Sequence, residues 1–285
     1  MKPAPFAHHA PKTLEDALTT LAQVAPDDGR VLAGGQSLVP TMAFRLARPR
    51  HLVDINDVVG LDRLEVNGET LSIGACVRHS AFHVPVVGGP LGRLLAVVVR
   101  HIGHYPIRTR GTFCGSLAHA DPASEWCLVA TTLGAEIVAN RAQGMRTIAA
   151  DQFFEGMMAT ALAEDELVTE ARLPILAADT RFGFYEFSRR AGDYAIAMAL
   201  ATFRIVDGTI VEPRLGIGGA EGQPRRMREA EAALAGNAPE IATFRAAADA
   251  AADAIDPLED IQASADYRRD LVRTVARRAL ERAVA

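Results

Sequence analysis

The chain has 285 residues, carries 30 Lys and Arg against 35 Asp and Glu for a net charge of −5, and is 49% hydrophobic and 23% charged. That composition excludes a disordered chain, which would hold fewer apolar residues and a larger net charge, and its acidic balance argues against a general nucleic-acid binder. At roughly 150 residues per domain, the length predicts about two domains with enough chain for a sizeable core.

In chain order, Pro11 to Ala25 reads as a first helix, with Leu14, Leu18 and Leu21 on one face. Val31–Ala33 is a short strand running into Gly34-Gly35, and Ser37 is placed to cap a helix over Leu38–Leu46. Pro49 ends that helix, and His51–Ile55 reads as a strand. Leu61–Val66 and Thr70–Ala75 alternate around Asn67-Gly68, a strong hairpin signal. Helices are expected near Arg78–Phe82 and over Leu91–His101, then a Gly- and Thr-rich loop over Ile107–Ser116. Pro122 suits the first turn of a helix through Leu133. Glu136–Ala139 and Met145–Ile148 form a second strand pair, and Leu167–Leu173 is a strand stopped by Pro174.

Ile175–Thr180 reads as a linker, after which the pattern changes. Phe182–Ser188, Ala197–Val206 and Ile210–Ile217 read as three strands, the last two joined at Asp207-Gly208. Helices near Met227–Ala235, Ile241–Ala254 and Ala265–Val284 follow. Strands then helices predict a C-terminal α+β domain of its own.

Cys76, Cys114 and Cys127 are scattered, without a C-x-x-C pair. Three thiols cannot supply a four-thiolate cluster or zinc site, and an odd count argues against a secreted disulfide framework. No apolar run nears the roughly 18 residues of a membrane span, and the first residues lack a hydrophobic signal core. The reading is a cytoplasmic, reduced protein.

Four motifs can carry chemistry. In Ala33-Gly34-Gly35-Gln36-Ser37-Leu38, two glycines admit close backbone approach at a strand-to-helix corner. That suits a pyrophosphate, and the same pattern also describes an ordinary capped corner. Arg110-Gly111-Thr112-Phe113-Cys114-Gly115-Ser116 repeats the theme, as a second phosphate cradle or a tight structural loop. In the run from His119 to Glu125, the acid sits near a helix start, able to accept ribose hydroxyls or simply to complement the helix dipole. In Phe187–Ala197, Arg189-Arg190 can meet an anion and Tyr194 can lay its ring on a planar cofactor; the alternative is a strand end and turn. No G-x-G-x-x-G fingerprint, Walker loop, H-E-x-x-H helix or nucleophile elbow is present.

At these motifs the chain resembles the FAD-binding medium subunit of the molybdenum hydroxylases, the carbon-monoxide dehydrogenase and xanthine dehydrogenase group. The residues that carry the resemblance are AGGQSLVPTMAFRLARPRHLVDIN (Ala33–Asn56), IGACVRHS (Ile73–Ser80), IRTRGTFCGSLAHADPASE (Ile107–Glu125), ELVTEARLP (Glu166–Pro174) and FSRRAGDYA (Phe187–Ala195), with SADYRRDLVRTVARRAL (Ser264–Leu280) near the end. The resemblance implies an α+β fold. Residues 1–176 would form a two-subdomain FAD-binding domain (about 1–56 and 57–176) of the PCMH, vanillyl-alcohol-oxidase-like, type. Residues 177–285 would form a C-terminal α+β domain with a three-stranded antiparallel sheet and helices.

It further implies pyrophosphate contacts from Ala33, Gly34, Gly35, Gln36, Ser37 and Leu38, and a second loop contributing Thr112, Gly115 and Ser116. Glu125 would sit on the adenosine ribose and Leu167 on the adenine side. Ile102 would lie near the flavin ring, and Tyr194 would cover one ring face. No catalytic acid or base and no metal ligand is expected in this chain. The implied partners are a large molybdopterin-binding subunit and a small subunit with two [2Fe–2S] clusters, assembled as a dimer of heterotrimers. Electrons would run from the clusters through FAD to an external acceptor.

Two departures stand out. Cys114 replaces the first glycine of the usual pair, which would strain a left-handed backbone there. Tyr185-Glu186 stand where some relatives carry a lysine. Two other readings are a free-standing FAD oxidoreductase acting on its own substrate, and a scaffold that lost its flavin through Cys114. Arg269, Arg273, Arg277 and Arg278 read as a solvated or subunit-facing surface rather than a nucleic-acid site.

Overall fold

A computed structural model describes residues 2–285. Its first lobe is a small parallel sheet of β1 (Ala7–His9), β2 (Gly29–Leu32) and β3 (His51–Asp54), in the order β1-β3-β2. Helix α1 (Leu14–Val24) lies between β1 and β2, and α2 (Leu38–Ala43) between β2 and β3. Thr13 caps α1 by accepting from the Asp16 amide at 3.1 Å, and Ala17, Leu18, Leu21 and Val24 are buried, as the periodicity predicts. Strand β1, three residues long, has too little pattern to read from sequence.

The second lobe begins with the hairpin β4 (Leu64–Asn67) and β5 (Thr70–Gly74), turned at Gly68 with φ +60°. A helical excursion follows: a 3₁₀ turn over His79–His83, then α3 (Gly89–Val98), α4 (Tyr105–Arg108), α5 (Phe113–His119) and α6 (Glu125–Leu133). The chain returns through β6 (Glu136–Arg141), β7 (Gly144–Ala149), α7 (Ala150–Phe153), the small pair β8 (Phe154–Gly156) and β9 (Ala159–Thr160), and β10 (Leu167–Pro174). β10 inserts centrally, giving an antiparallel sheet in the order β4-β5-β10-β6-β7. Phe82, Phe113 and Trp126 are fully buried and mutually packed, with ring centroids 4.9–5.8 Å apart.

Three local expectations change. Ser37 makes no side-chain capping hydrogen bond, and α2 ends at Ala43 rather than at Leu46. The stretch expected as loop over Ile107–Ser116 is mostly helical: α4 covers its start, and α5 opens at Phe113, because Thr112 caps it. Pro122 does not open α6. Asp121 accepts from the Ala123 amide at 2.9 Å in a turn, and the helix starts at Glu125 behind Ser124.

The C-terminal part is an antiparallel sheet of β11 (Arg181–Phe187), β12 (Ala197–Val206), β13 (Thr209–Gly218) and β14 (Arg225–Arg226), in chain order. It is four-stranded rather than three-stranded; the two-residue β14 pairs beside Gly216 and Ile217 and is too short to announce itself. Helices α8 (Arg228–Leu234), α9 (Ile241–Ala254) and α10 (Ala265–Val284) cover it. The alanines let helices approach closely: Ala247, Ala248, Ala251 and Ala252 of α9 and Ala276 and Ala279 of α10 are all fully buried. A side chain at Gly183 would come within 1.9 Å of the Ala279 carbonyl. The arginines of α10 are largely surface ion pairs, Arg273 with Asp249 and Asp270, and Arg277 with Glu281. Arg268 is the exception, buried and donating to the carbonyls of Ile196 and Gly219.

Two apolar cores result. The first fills residues 17–173 and extends into Phe184, Ala195, Met198 and Leu200; the second joins the outer face of the C-terminal sheet to its helices. Among the described residues no helix is long and apolar enough to cross a membrane.

Candidate cofactor site

The first glycine loop leaves β2 and enters α2. Gly35 sits at φ +69°, a left-handed conformation that favours glycine. Gly34 is required for another reason: a Cβ there would lie 2.3 Å from the Arg110 carbonyl and 2.6 Å from Gly111 Cα. The two loops therefore touch backbone to backbone. The amides of Gly34, Gly35, Gln36 and Ser37 donate to no protein acceptor among the described residues. A run of free N–H groups on a tight turn is an anion-binding concavity.

A polar strut fixes one loop against the other. Asn56 donates to the Ala33 carbonyl at 2.9 Å, and Arg78 donates both to Asn56 and to the Arg110 carbonyl. The second loop closes on itself. Thr112 Oγ1 accepts from the Gly115 amide at 3.1 Å, and the Ser116 amide donates to the Thr112 carbonyl. Gly115 and Ser116 thus offer shape and a hydroxyl more than free amides.

Cys114 lies within α5, fully buried, with no left-handed backbone angle. Its thiol points away from strain and donates to the Ile73 carbonyl at 3.4 Å. Burial drives its pKa far up, so it is an inert apolar filler. The feared lesion in the second loop is therefore absent.

These loops form one side of a cleft of about 410 Å³. Ala33, Gly34, Gly35, Gln36, Ser37, Leu38, Thr112, Gly115, Ser116 and Leu167 all line it, so ten of the expected residues converge from three stretches of chain. The opposite wall is the segment before β10, including Thr160, Leu162 and Ala163, none of which the sequence singled out. Glu166 holds that wall: it accepts from Arg146 through both oxygens at 2.7 Å and from the Ala163 amide at 2.8 Å. Arg146 holds its carboxyl below the usual range. The Glu166–Arg146 pair spans 20 residues, so no local pattern discloses it. Gly111 of the second motif also lines the cleft, as does His79, to which the sequence assigned no role.

Ile102, Glu125 and Tyr194 lie outside this cleft, gathered in a second neighbourhood. Ile102 is buried after α3, its carbonyl accepting from Arg108 at 2.9 Å. Gly192 packs on the next turn, where a Cβ would be 2.6 Å from His104 Cε1, which sets the Tyr194 loop against Gly103 and His104. Tyr194 is 61% exposed. Glu125 is buried at the start of α6, and the Glu186 side chain is buried too, with one carboxylate oxygen that makes no hydrogen bond and lies 3.5 Å from His101 Nδ1. Burial, then mutual repulsion between these two acids, pushes Glu186 well above the usual carboxylate range; burial does the same for Glu125. Glu125 lies near Arg108 and Tyr194, outside the cleft that Leu167 lines. Tyr185, beside Glu186, turns the other way under Arg282, 4.5 Å from the ring centre.

The free amides, the loop-to-loop glycine packing and a cleft lined by both loops and Leu167 fit a dinucleotide. Residues 4–176 match the family described as FAD binding domain in molybdopterin dehydrogenase, and residues 182–283 match the CO dehydrogenase flavoprotein C-terminal domain. The chain belongs to the FAD-binding medium subunits of the molybdenum hydroxylases, its cofactor is FAD, and it is an oxidoreductase subunit. It is 38% identical over 281 residues to the nicotine 6-hydroxylase medium subunit of Paenarthrobacter nicotinovorans, covering 98% of each chain. It is 34% identical to the carbon monoxide dehydrogenase medium chain of Hydrogenophaga pseudoflava, covering 99% of this chain and 98% of that one. The solved carbon monoxide dehydrogenase from that organism superposes with a TM-score of 0.95 at 36% identity, over 100% and 99% of the two chains. Quinoline 2-oxidoreductase from Pseudomonas putida 86 superposes at 0.92 and 34% identity, over 99% and 98%.

Proposed function

We propose that this chain is the electron-transfer subunit of a cytoplasmic molybdenum hydroxylase, built with a large molybdopterin-binding subunit and a small [2Fe–2S] subunit as a dimer of heterotrimers. The observation that carries the reading is the row of free amides at Gly34–Ser37 facing a cleft walled by the Thr112 loop and Leu167. Its three scattered, buried thiols support the assignment of the clusters to a partner. FAD, when bound, supplies the redox chemistry, receiving electrons from the clusters and delivering them to an external acceptor.

The chain's own residues bind, orient and shield. The amides of Gly34, Gly35, Gln36 and Ser37 neutralise the pyrophosphate. Asn56 and Arg78 keep the loops in register, and Leu167 with the Glu166-braced wall holds the adenosine end. Ile102, Glu125 and Tyr194 serve the ring end, with Tyr194 as a movable cover. The working division is an FAD-binding domain over 1–176, in subdomains of about 1–56 and 57–176, and a C-terminal domain over 177–285 that carries the cover loop. Substrate choice belongs to the large subunit.

The test is the visible absorption spectrum of the purified chain, followed by release and identification of the flavin. Stoichiometric FAD is expected, together with co-purification of a molybdenum subunit and an iron–sulfur subunit when all three are co-expressed. A chain that refuses FAD alone and in the co-expressed complex would overturn the reading.

A further inference from the structure

His79 is a residue that neither motif nor family description assigns. It lies in the 3₁₀ turn after β5, only 4% exposed, yet it lines the cofactor cleft. Its backbone amide donates to the Gly111 carbonyl at 2.9 Å, which seats the ring beneath the second loop. Gly111 is glycine in part for this ring: a Cβ there would stand 2.5 Å from Nε2.

The ring's hydrogen-bonding state follows from its neighbour. Trp126 Nε1 lies 2.9 Å from His79 Nδ1. An indole N–H can only donate, so Nδ1 must accept and bears no hydrogen. Trp126 itself cannot turn away, being fully buried between Phe82 and Phe113. Burial, with the guanidinium groups of Arg108 and Arg78 nearby, pushes the imidazole down to about 3, so it is neutral at physiological pH. A neutral ring with a bare Nδ1 carries its hydrogen on Nε2. That N–H has no protein acceptor among the described residues, and His79 lines the cleft beside Gly111. A donor at the cleft wall with no protein partner is free to meet an acceptor of a bound ligand.

We infer that His79 is a further cofactor-binding residue, its Nε2–H locked toward the cleft by Trp126 and donating a hydrogen bond to an acceptor oxygen of the bound dinucleotide. The inference rests on the FAD reading above. It makes a side chain, and not only backbone amides, part of the cradle. A neutral donor also gives the site an affinity for FAD that does not depend on pH near neutrality.

The experiment uses the full-length chain. Long-range ¹H–¹⁵N spectra identify the imidazole tautomer, and FAD titration by flavin fluorescence gives Kd for the wild type, His79→Leu, His79→Gln and Trp126→Phe. Expected are the Nε2–H tautomer, an Nε2 resonance that shifts when FAD is added, and an about tenfold weaker Kd for His79→Leu. His79→Gln, which restores a donor, recovers most of that loss. Trp126→Phe releases the lock, so that its Kd tightens as pH falls and the ring gains a second N–H. A variant that fails to fold is identified by circular dichroism, leaving the tautomer and the Nε2 shift to decide on the native chain. The Nδ1–H tautomer, an Nε2 resonance indifferent to FAD, or a folded His79→Leu chain with wild-type Kd would each overturn the inference while leaving the FAD reading intact. A wild-type chain that binds no FAD would instead overturn the parent reading, and this inference with it.

Discussion

The two ends of the proposed cofactor site are built differently. The cleft end is made of backbone: free amides at Gly34–Ser37, a left-handed Gly35, and glycines where two loops touch. The far end is made of side chains: the buried pair Glu125 and Glu186, Ile102 packed below, and an exposed Tyr194 on a loop joining β11 to β12. A backbone-built site tolerates little change in shape and is insensitive to pH. A site built on buried acids stores charge energy that responds to protonation, and its Tyr194 is exposed. The first kind of site suits fixed binding and the second suits control of access.

Breaking the backbone end carries the largest expected effect. Gly35→Val puts a branched side chain at φ +69°, with Val39 and Leu32 atoms within 3.2 Å of its Cβ. About 1–3 kcal/mol of backbone strain is expected to displace the free amides, and the purified variant should carry almost no FAD. A fully flavinylated Gly35→Val chain would show that the amides are not the cradle. Asn56→Ala removes the strut between the loops. Losing these exposed hydrogen bonds costs about 1 kcal/mol, so FAD affinity should fall about fivefold, read by fluorescence titration; an unchanged Kd would mean that glycine contact alone sets the register.

The acid end predicts a pH effect. Because the folded pKa values of Glu125 and Glu186 are raised, the folded state holds protons that the unfolded chain releases. Their contribution to stability is complete below the ordinary carboxylate range and is lost as pH rises through the raised folded values. Glu186→Gln should flatten that decline, raising Tm by about 3 °C at alkaline pH and changing it little in acid. Parallel pH profiles for the variant and wild type would remove Glu186 from the account. The smallest effect on binding is expected of Tyr194→Ala. FAD affinity should stay within about twofold, while reoxidation of the reduced flavin by external acceptors becomes faster because the ring cover is gone. Identical reoxidation kinetics would mean that Tyr194 covers nothing.

Much of the fold was legible because local chemistry set it. Asn67-Gly68 and Asp207-Gly208 are turns whose geometry is decided within three or four residues. Helices α9 and α10 carry their periodicity over 14 and 20 residues, and their bounds fall where the pattern puts them. The failures were short or conditional elements. β1 and β14 exist only because a neighbouring strand offers hydrogen bonds. The start of α5 was hidden in a Gly-rich stretch because one hydroxyl, that of Thr112, outweighs the glycine behind it. Pro122 looked like a helix opener, yet Asp121 claims its backbone for a turn.

The sequence by itself determined the glycine loops, the two-part division of elements and the absence of a cluster-binding cysteine set, since each depends on residue type and spacing along the chain. It also singled out ten residues that meet in one cleft. Only the tertiary structure decided why Gly34 is glycine, that Glu125 keeps company with Glu186 and Tyr194, that Cys114 is harmless, and that His79 faces the cleft. Each of these turns on a contact between segments distant in sequence, as when Trp126 fixes the ring of His79 across 47 residues. Burial and charge proximity, which set the state of a titratable group, are properties of what folds around it, and a single chain read in order carries no term for them.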